Sequence, residues 1–408
     1  MGLTNAVFGM YGGIILIALP QLLSARHVPE GTIATMTAVM ASPGFWTFLV
    51  SPVLDVRFSR RWYAVATATT AAVLMMGALI NLDHLAWVEG LLVAGYFFAN
   101  LYQSALGGWL SSITTEGEAS SLSVWVTVGN IGGGGVMAVA AGEVTRNLPP
   151  TWAAVVLGAV VVLPIVVFPW MRAPGPDRRL AKESFSQFFG EVASLLKRRE
   201  VLIAILIFMA PAATFSLTNF LSGLGADFHA SPHFVGVVAG LGVVVGGIVG
   251  CFMFPLIDRM LPLRLLYLAI GVVGSLFTLS LILLPHTATT FAVALIGENV
   301  FQSLAITASI AIAFDTIGRS NPLAATTFCL MISAFNVPIT YMLFVDGAGY
   351  AHSGVAGSYA ADALLSLVAS VVLGAGLIWL GRRGQRADRS RNGALCGSAV
   401  GRRASGDA

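Results

Sequence analysis

Charge is scarce in this sequence. Asp, Glu, Lys and Arg together make up 10% of its 408 residues, where soluble globular chains carry about 25%. A soluble fold of this length would have too few charges to cover its surface, so most of that surface must face something other than water. Cysteine is nearly absent, with three residues in all. Cys251 and Cys329 fall inside apolar runs and Cys396 lies near the end, a pattern that excludes a disulfide framework and thiolate metal spacing. The six histidines sit in or near one set of loops. Of these, His229 and His233 have metal-ligand spacing, but Pro232 argues against the helix that spacing needs. No polar segment carries a phosphate loop, and the glycine runs Gly132–Gly135 and Gly242, Gly246, Gly250 follow no strand. They read as small-residue faces for close helix contact. Neither a cofactor nor a metal is expected, and nothing indicates nucleic acid.

Hydrophobic residues make up 57% of the chain. They gather into runs of about twenty, the length a helix needs to cross a ~30 Å hydrocarbon core. Twelve runs are predicted: 6–23, 32–54, 64–82, 89–112, 119–142, 151–171, 201–224, 234–257, 265–284, 289–313, 323–345 and 360–381. The first lacks a basic leader and is read as a retained helix. Of the 22 lysines and arginines, all but Arg26 and Arg146 fall in loops on one face. That bias predicts an even number of spans with both termini cytoplasmic in an inner (plasma) membrane. The net charge of +3 then describes loops that meet anionic headgroups.

Four segments follow. Residues 1–171 are a six-helix bundle and residues 201–381 a second one. Residues 172–200 form a polar cytoplasmic linker. There Ser184 and Gln187 fit a capping box, and Phe185, Phe188, Phe189, Val192, Leu195 and Leu196 recur at helical spacing. Residues 382–408, rich in Arg, Gly and Ser, are expected to be disordered. The bundles resemble each other. Asn100-Leu101-Tyr102-Gln103-Ser104 matches Asn299-Val300-Phe301-Gln302-Ser303, and Pro52-Val53-Leu54-Asp55 matches Pro255-Leu256-Ile257-Asp258. Gln21 pairs with Asn219 and Asn130 with Asn336. Four matches in one order at nearly constant separation imply a six-helix unit duplicated in parallel orientation.

Parallel six-helix halves are the architecture of major facilitator transporters. The stretch Phe48 to Asp55, followed by Arg57 and Arg60-Arg61-Trp62, resembles the signature loop between the second and third helices of that superfamily. The Pro-x-x-Asp-x-x-Arg-Arg pattern and Ala18-Leu19-Pro20 are similar to its AmpG-like branch of peptide and acetyl-coenzyme A transporters. That branch carries carboxylates in the fourth span where this chain has Gln103-Ser104, so siderophores stand beside muropeptides as candidate solutes. The resemblance implies an all-α membrane protein of twelve transmembrane helices with the major facilitator fold. It also implies a central cavity lined by the first, fourth, seventh and tenth helices.

Glu298 is the one carboxylate that the predicted spans place deep in the membrane. A carboxylate there costs several kcal/mol unless it is protonated, hydrated or paired, and no predicted span holds a Lys or Arg to pair with it. Such a group suits proton coupling; the plain alternative is a neutral acid bonded to a neighbouring helix. Asn100, Tyr102, Gln103, Asn299, Gln302, Asn336, Tyr341, Gln21 and Asn219 are the expected cavity residues, against interhelical hydrogen bonding worth ~0.6 kcal/mol each. Asp55, Arg57, Arg60, Arg61, Asp258 and Arg259 are the expected inner gate, against simple topology-setting charge. The expected activity is proton-coupled secondary transport of a small organic solute by a monomer in the bilayer. A transporter-like receptor and an integral-membrane enzyme are the alternatives. The enzyme lacks a nucleophile-base pair in the sequence.

Overall fold

A computed structural model describes residues 1–56, 58–115, 117–173, 190, 193–195, 197–213, 216–318 and 321–403. Arg57 and most of the linker, including its capping box, lie outside the described residues. All regular elements described are helical. Among the described residues, nine helices are long and apolar enough to cross a membrane. The last of these, Ala324–Leu380, is two helices, because Ser353 and Gly354 leave helical geometry and the chain reverses there. Two further spans are broken into pieces too short to count as single helices, which gives the expected twelve.

The N-terminal half comprises α1 (Gly2–Ala25), α2 (residues 30–55), α3 (Arg60–Ile80), α4 (Leu85–Ile113), α5 (Ala119–Asn147) and α6 (Pro150–Trp170). The C-terminal half comprises α7 (Arg199–Phe208 and Ser216–Leu221), α8 (His233–Ile257), α9 (Leu263–Leu281), α10 (Ala288–Ile317), α11 (residues 324–352) and α12 (residues 355–403).

Proline explains most irregularities, because it lacks an N–H and its ring displaces the carbonyl one turn back. In α2, Pro43 and Pro52 leave 3₁₀ turns over Thr47–Leu49 and Ser51–Asp55. In α1 a π segment, Ile14–Ala18, precedes Pro20. In α7 the helix stops at Phe208, three residues before Pro211, and Ala213 has a left-handed φ of 50°. Small residues set the closest packing. A Cβ on Gly133 would lie 2.6 Å from the Ala6 carbonyl oxygen and one on Gly246 would lie 2.8 Å from that of Ile296. α1 therefore docks on α5, and α8 on α10.

The structure departs from the expected spans at one place. The Gly- and Ser-rich stretch after Val345 is not a loop. α11 continues to residue 352 and α12 starts at 355, with Gly349 and Gly357 meeting backbone to backbone. The helical backbone also runs on to Arg403, where disorder was expected from residue 382. Ala and Arg are strong helix formers, and they carry the hydrogen-bonding pattern of α12 past the apolar segment.

Candidate functional site: a latch between the halves and an acidic cluster

Two polar constellations stand out, one between the halves and one inside the second half. The first is at the basic face. Asp55, 2% exposed at the end of α2, accepts hydrogen bonds from the backbone N–H of Ala325 at 3.2 Å and of Thr326 at 2.8 Å. It also accepts one from the Thr326 hydroxyl at 2.7 Å. These N–H groups belong to the first turn of α11, where four donors lack intrahelical partners and the helix dipole favours an anion. Arg60 completes the arrangement. Its Nε donates to Asp55 Oδ1 at 2.9 Å, and its Nη2 donates to the Pro322 carbonyl at 3.0 Å. One carboxylate and one guanidinium of the N-terminal half thus hold the N-terminus of a helix of the other half.

The halves touch from this latch to mid-depth. A Cβ on Gly108 would lie 2.5 Å from the Ala325 nitrogen, and one on Gly107 would lie 2.5 Å from the Phe328 ring. Only glycine admits so close an approach of α4 to α11. Higher up, Asn336 Nδ2 donates to the Gly44 carbonyl at 3.4 Å, linking α11 to α2. On the opposite seam, Trp125 of α5 packs edge-on against Phe252 of α8. Gly135 of α5 faces Val244.

The second constellation is buried in the C-terminal half. Glu298 of α10, 4% exposed, accepts a hydrogen bond from Thr278 of α9 at 2.5 Å. Asp346 of α11, fully buried, accepts one from Ser216 of α7 at 2.6 Å. Asp362 of α12 is 8% exposed, within hydrogen-bonding reach of Asp346 and close enough to Glu298 to repel it. Three helices, α10, α11 and α12, thus bring three carboxyl groups together, and no Lys, Arg or His among the described residues faces them. No group of three acidic, His or Cys side chains among the described residues has metal-binding geometry.

The expected site residues divide. Asp55 and Arg60 meet in this contact between the halves, and among the described residues neither Asp258 nor Arg259 is bonded to it. Asp258 is half-buried with Oδ1 lacking a partner among the described residues, and Arg259 is exposed. α8 stays α-helical to Ile257, whereas the 3₁₀ turns of α2, rising ~2.0 Å per residue against ~1.5 Å, carry Asp55 to its partner. Arg61 is half-buried.

Among the expected cavity residues, Tyr102 is a clear correction. It is fully buried in the N-terminal bundle, donating to the Thr4 carbonyl at 2.6 Å and stacking on Phe168. Two residues past Asn100 is about 200° around a helix, so the two side chains leave opposite faces. Gln21 is exposed but lines a cavity of about 410 Å³ on the flank of its own bundle, with Thr145, Arg146 and Ala153. Asn100 and Asn299 are buried, and each donates to the carbonyl one turn back, Tyr96 and Leu295. Gln103 is buried. Gln302 accepts from Thr218 of α7 at 3.0 Å, and Tyr341 donates to the Met209 carbonyl at the break in α7. Asn219 is exposed. Asn336 is the expected cavity residue that bridges the halves. Its neighbour Tyr96 stacks on Phe8 and Tyr11, and a Cβ on Gly44 would touch both Asn336 and Tyr96.

Sequence reading missed Asp346 and Asp362. Asp346 falls just beyond the predicted end of its span and Asp362 close to the predicted start of the next. A signal was present in Ser358, Asp362, Ser366 and Ser370, which recur every fourth residue and so mark one polar face along a helix.

No protein-family model matches the sequence, and no curated protein matches it. Solved structures do match its fold. The E. coli fucose:proton symporter is 15% identical with a TM-score of 0.66, covering 91% of this chain and 97% of its own. A bacterial homologue of the iron transporter ferroportin, in an outward-facing state, is 14% identical with a TM-score of 0.62, covering 93% and 98%. The human organic anion transporter TETRAN is 14% identical with a TM-score of 0.67, covering 91% and 97%. Twelve helices in two six-helix halves, latched at one face, align over nearly the full length of three transporters; the chain is an integral membrane protein with the major facilitator fold.

Proposed function

We propose that this protein is a secondary active transporter that moves a small organic solute across the inner membrane by alternating access, as a monomer with both termini cytoplasmic. The observation that carries this reading is the Asp55 latch. It joins the halves only through hydrogen bonds, from the first turn of α11 to Asp55 and from Arg60 to the Pro322 carbonyl, contacts that can break as a unit when the halves rock. With the basic face cytoplasmic, the latched form is closed to the cytoplasm. The solute meets the halves at mid-depth beside Gly44, Tyr96 and Asn336. An amide and aromatic surface without a cation suits a neutral, zwitterionic or amphipathic molecule, such as a muropeptide or a siderophore of the AmpG-like branch.

Coupling is to protons and centres on Glu298. Protonation from outside neutralises the acid and lets the halves close over the solute; loss of the proton to the cytoplasm follows solute release. Uptake of radiolabelled muropeptides and siderophores by proteoliposomes under an imposed pH gradient tests this. Glu298→Gln is expected to abolish accumulation while preserving exchange, and Glu298→Asp to keep partial activity with a shifted pH optimum. Accumulation by Glu298→Gln with unchanged pH dependence would place coupling elsewhere. For topology, Arg26→Cys and Arg386→Cys in a cysteine-free background are expected to react with an impermeant thiol reagent from outside and inside respectively.

A further inference from the structure

The acidic cluster holds more than the proposed coupling residue needs. Asp346 uses one oxygen to accept from Ser216, and its Oδ1 is buried without a donor among the described residues. Asp362 Oδ2 is buried without a donor as well, although the two carboxyls lie within hydrogen-bonding reach of each other. Two ionised carboxylates are acceptors only and cannot bond to each other. A single proton held between them supplies the missing donor and removes one of two like charges from a site without a counter-cation. Tyr359, 1% exposed, adds an independent sign. Its hydroxyl has no partner among the described residues and lies near Glu298. Below Asp362 on the same helix face, Ser366 and Ser370 are also buried without partners among the described residues, and Ser370 faces Gly271 of α9.

We infer that Asp346 and Asp362 are a proton-sharing carboxyl pair, a second protonation site inside the C-terminal bundle that exchanges protons with Glu298 away from the solute cleft. Its role in transport rests on the proton-coupled reading above; its existence as a protonation site does not. The transfer balances simply. The Glu298 O–H bond breaks, an O–H bond forms on the singly protonated pair, and the negative charge moves from the pair to Glu298. The groups facing the pair are Ser216 from α7, Glu298 from α10 and Tyr341 from α11, with Tyr359 from α12 beside Glu298. None of them is a cation, so a proton is the charge-balancing partner that the site itself supplies.

Infrared difference spectroscopy of the reconstituted full-length protein across a pH step provides the test, with the protonated-carboxyl stretch as readout and no solute required. At neutral pH a protonated-carboxyl band is expected that shifts when the wild-type protein carries isotope-labelled aspartate. This band should be lost in both Asp346→Asn and Asp362→Asn and retained in Glu298→Gln. The labelled wild type keeps the test valid should either variant fold poorly. A band that does not shift with the label, or that survives both substitutions, would overturn the pair. Glu298→Gln then separately decides whether the coupling reading stands. A band that disappears when sodium replaces choline at constant pH would also overturn it, by showing an alkali cation in the proton's place.

Discussion

At the basic face the two halves present the same sequence element and use it differently. The N-terminal half ends α2 in Pro52-Val53-Leu54-Asp55, and Asp55 is fully engaged by Arg60 and the first turn of α11. The C-terminal half ends α8 in Pro255-Leu256-Ile257-Asp258, and Asp258 carries a buried oxygen without a partner among the described residues. In the membrane interior the asymmetry reverses. Glu298 precedes Asn299 as Ala99 precedes Asn100, and the N-terminal half has a fully buried alanine where the other carries a carboxylate. Duplication supplied two equivalent frames. One became the latch that fixes the closed face, the other the acidic interior. The proposed transport cycle needs both, because a gate that breaks cleanly and a site that exchanges a proton place opposite demands on the same carboxylate. The gate residue must stay charged and paired, while the interior residue must be able to lose its charge.

Substitutions at the two matched aspartates test this contrast most strongly. Asp55→Ala leaves Arg60 buried beside an uncapped helix terminus, and breaking one side of a buried pair costs about 3–5 kcal/mol. It should open the basic face, read as increased labelling of a cysteine at Ala325 by a membrane-permeant thiol reagent. Asp258→Ala should leave that labelling unchanged; equal effects would mean that the two elements act alike. Next in size is the crossing of α11 and α12 that assembles the acidic cluster. Gly357→Val drives a side chain into the Gly349 backbone and is expected to cost about 1–3 kcal/mol, lowering the thermal midpoint in detergent. Gly374→Ala, where an added Cβ meets nothing within 4 Å, should not lower it. The smallest effect belongs to Tyr102→Phe in the N-terminal half. It removes one interhelical hydrogen bond, worth ~0.6 kcal/mol on average in a membrane. A small drop in midpoint with unchanged uptake is expected, and lost uptake would return Tyr102 to the solute path.

The pairing of Asp55 with Arg60 was legible because both lie within one short loop motif. Glu298 was legible because a carboxylate inside an apolar run is conspicuous whatever it touches. Asp346 and Asp362 were not, because Gly347, Gly349, Gly354 and Gly357 resemble a loop in composition. The same residues permit two helix backbones to touch. Tyr102 was misplaced because a shared string places residues along a helix and does not by itself say which side each one faces.

By itself, then, the sequence determined the solvent, the number of spans and the parallel six-helix repeat. Each of these follows from composition and spacing along one chain, where run length and charge position are enough. The tertiary structure alone decided which of the two matched aspartates became a latch, and that three carboxyls from three helices share one buried site without a counter-charge. Those outcomes depend on helix rotation and on how closely two backbones approach, which glycines and 3₁₀ turns set through contacts between residues far apart in sequence.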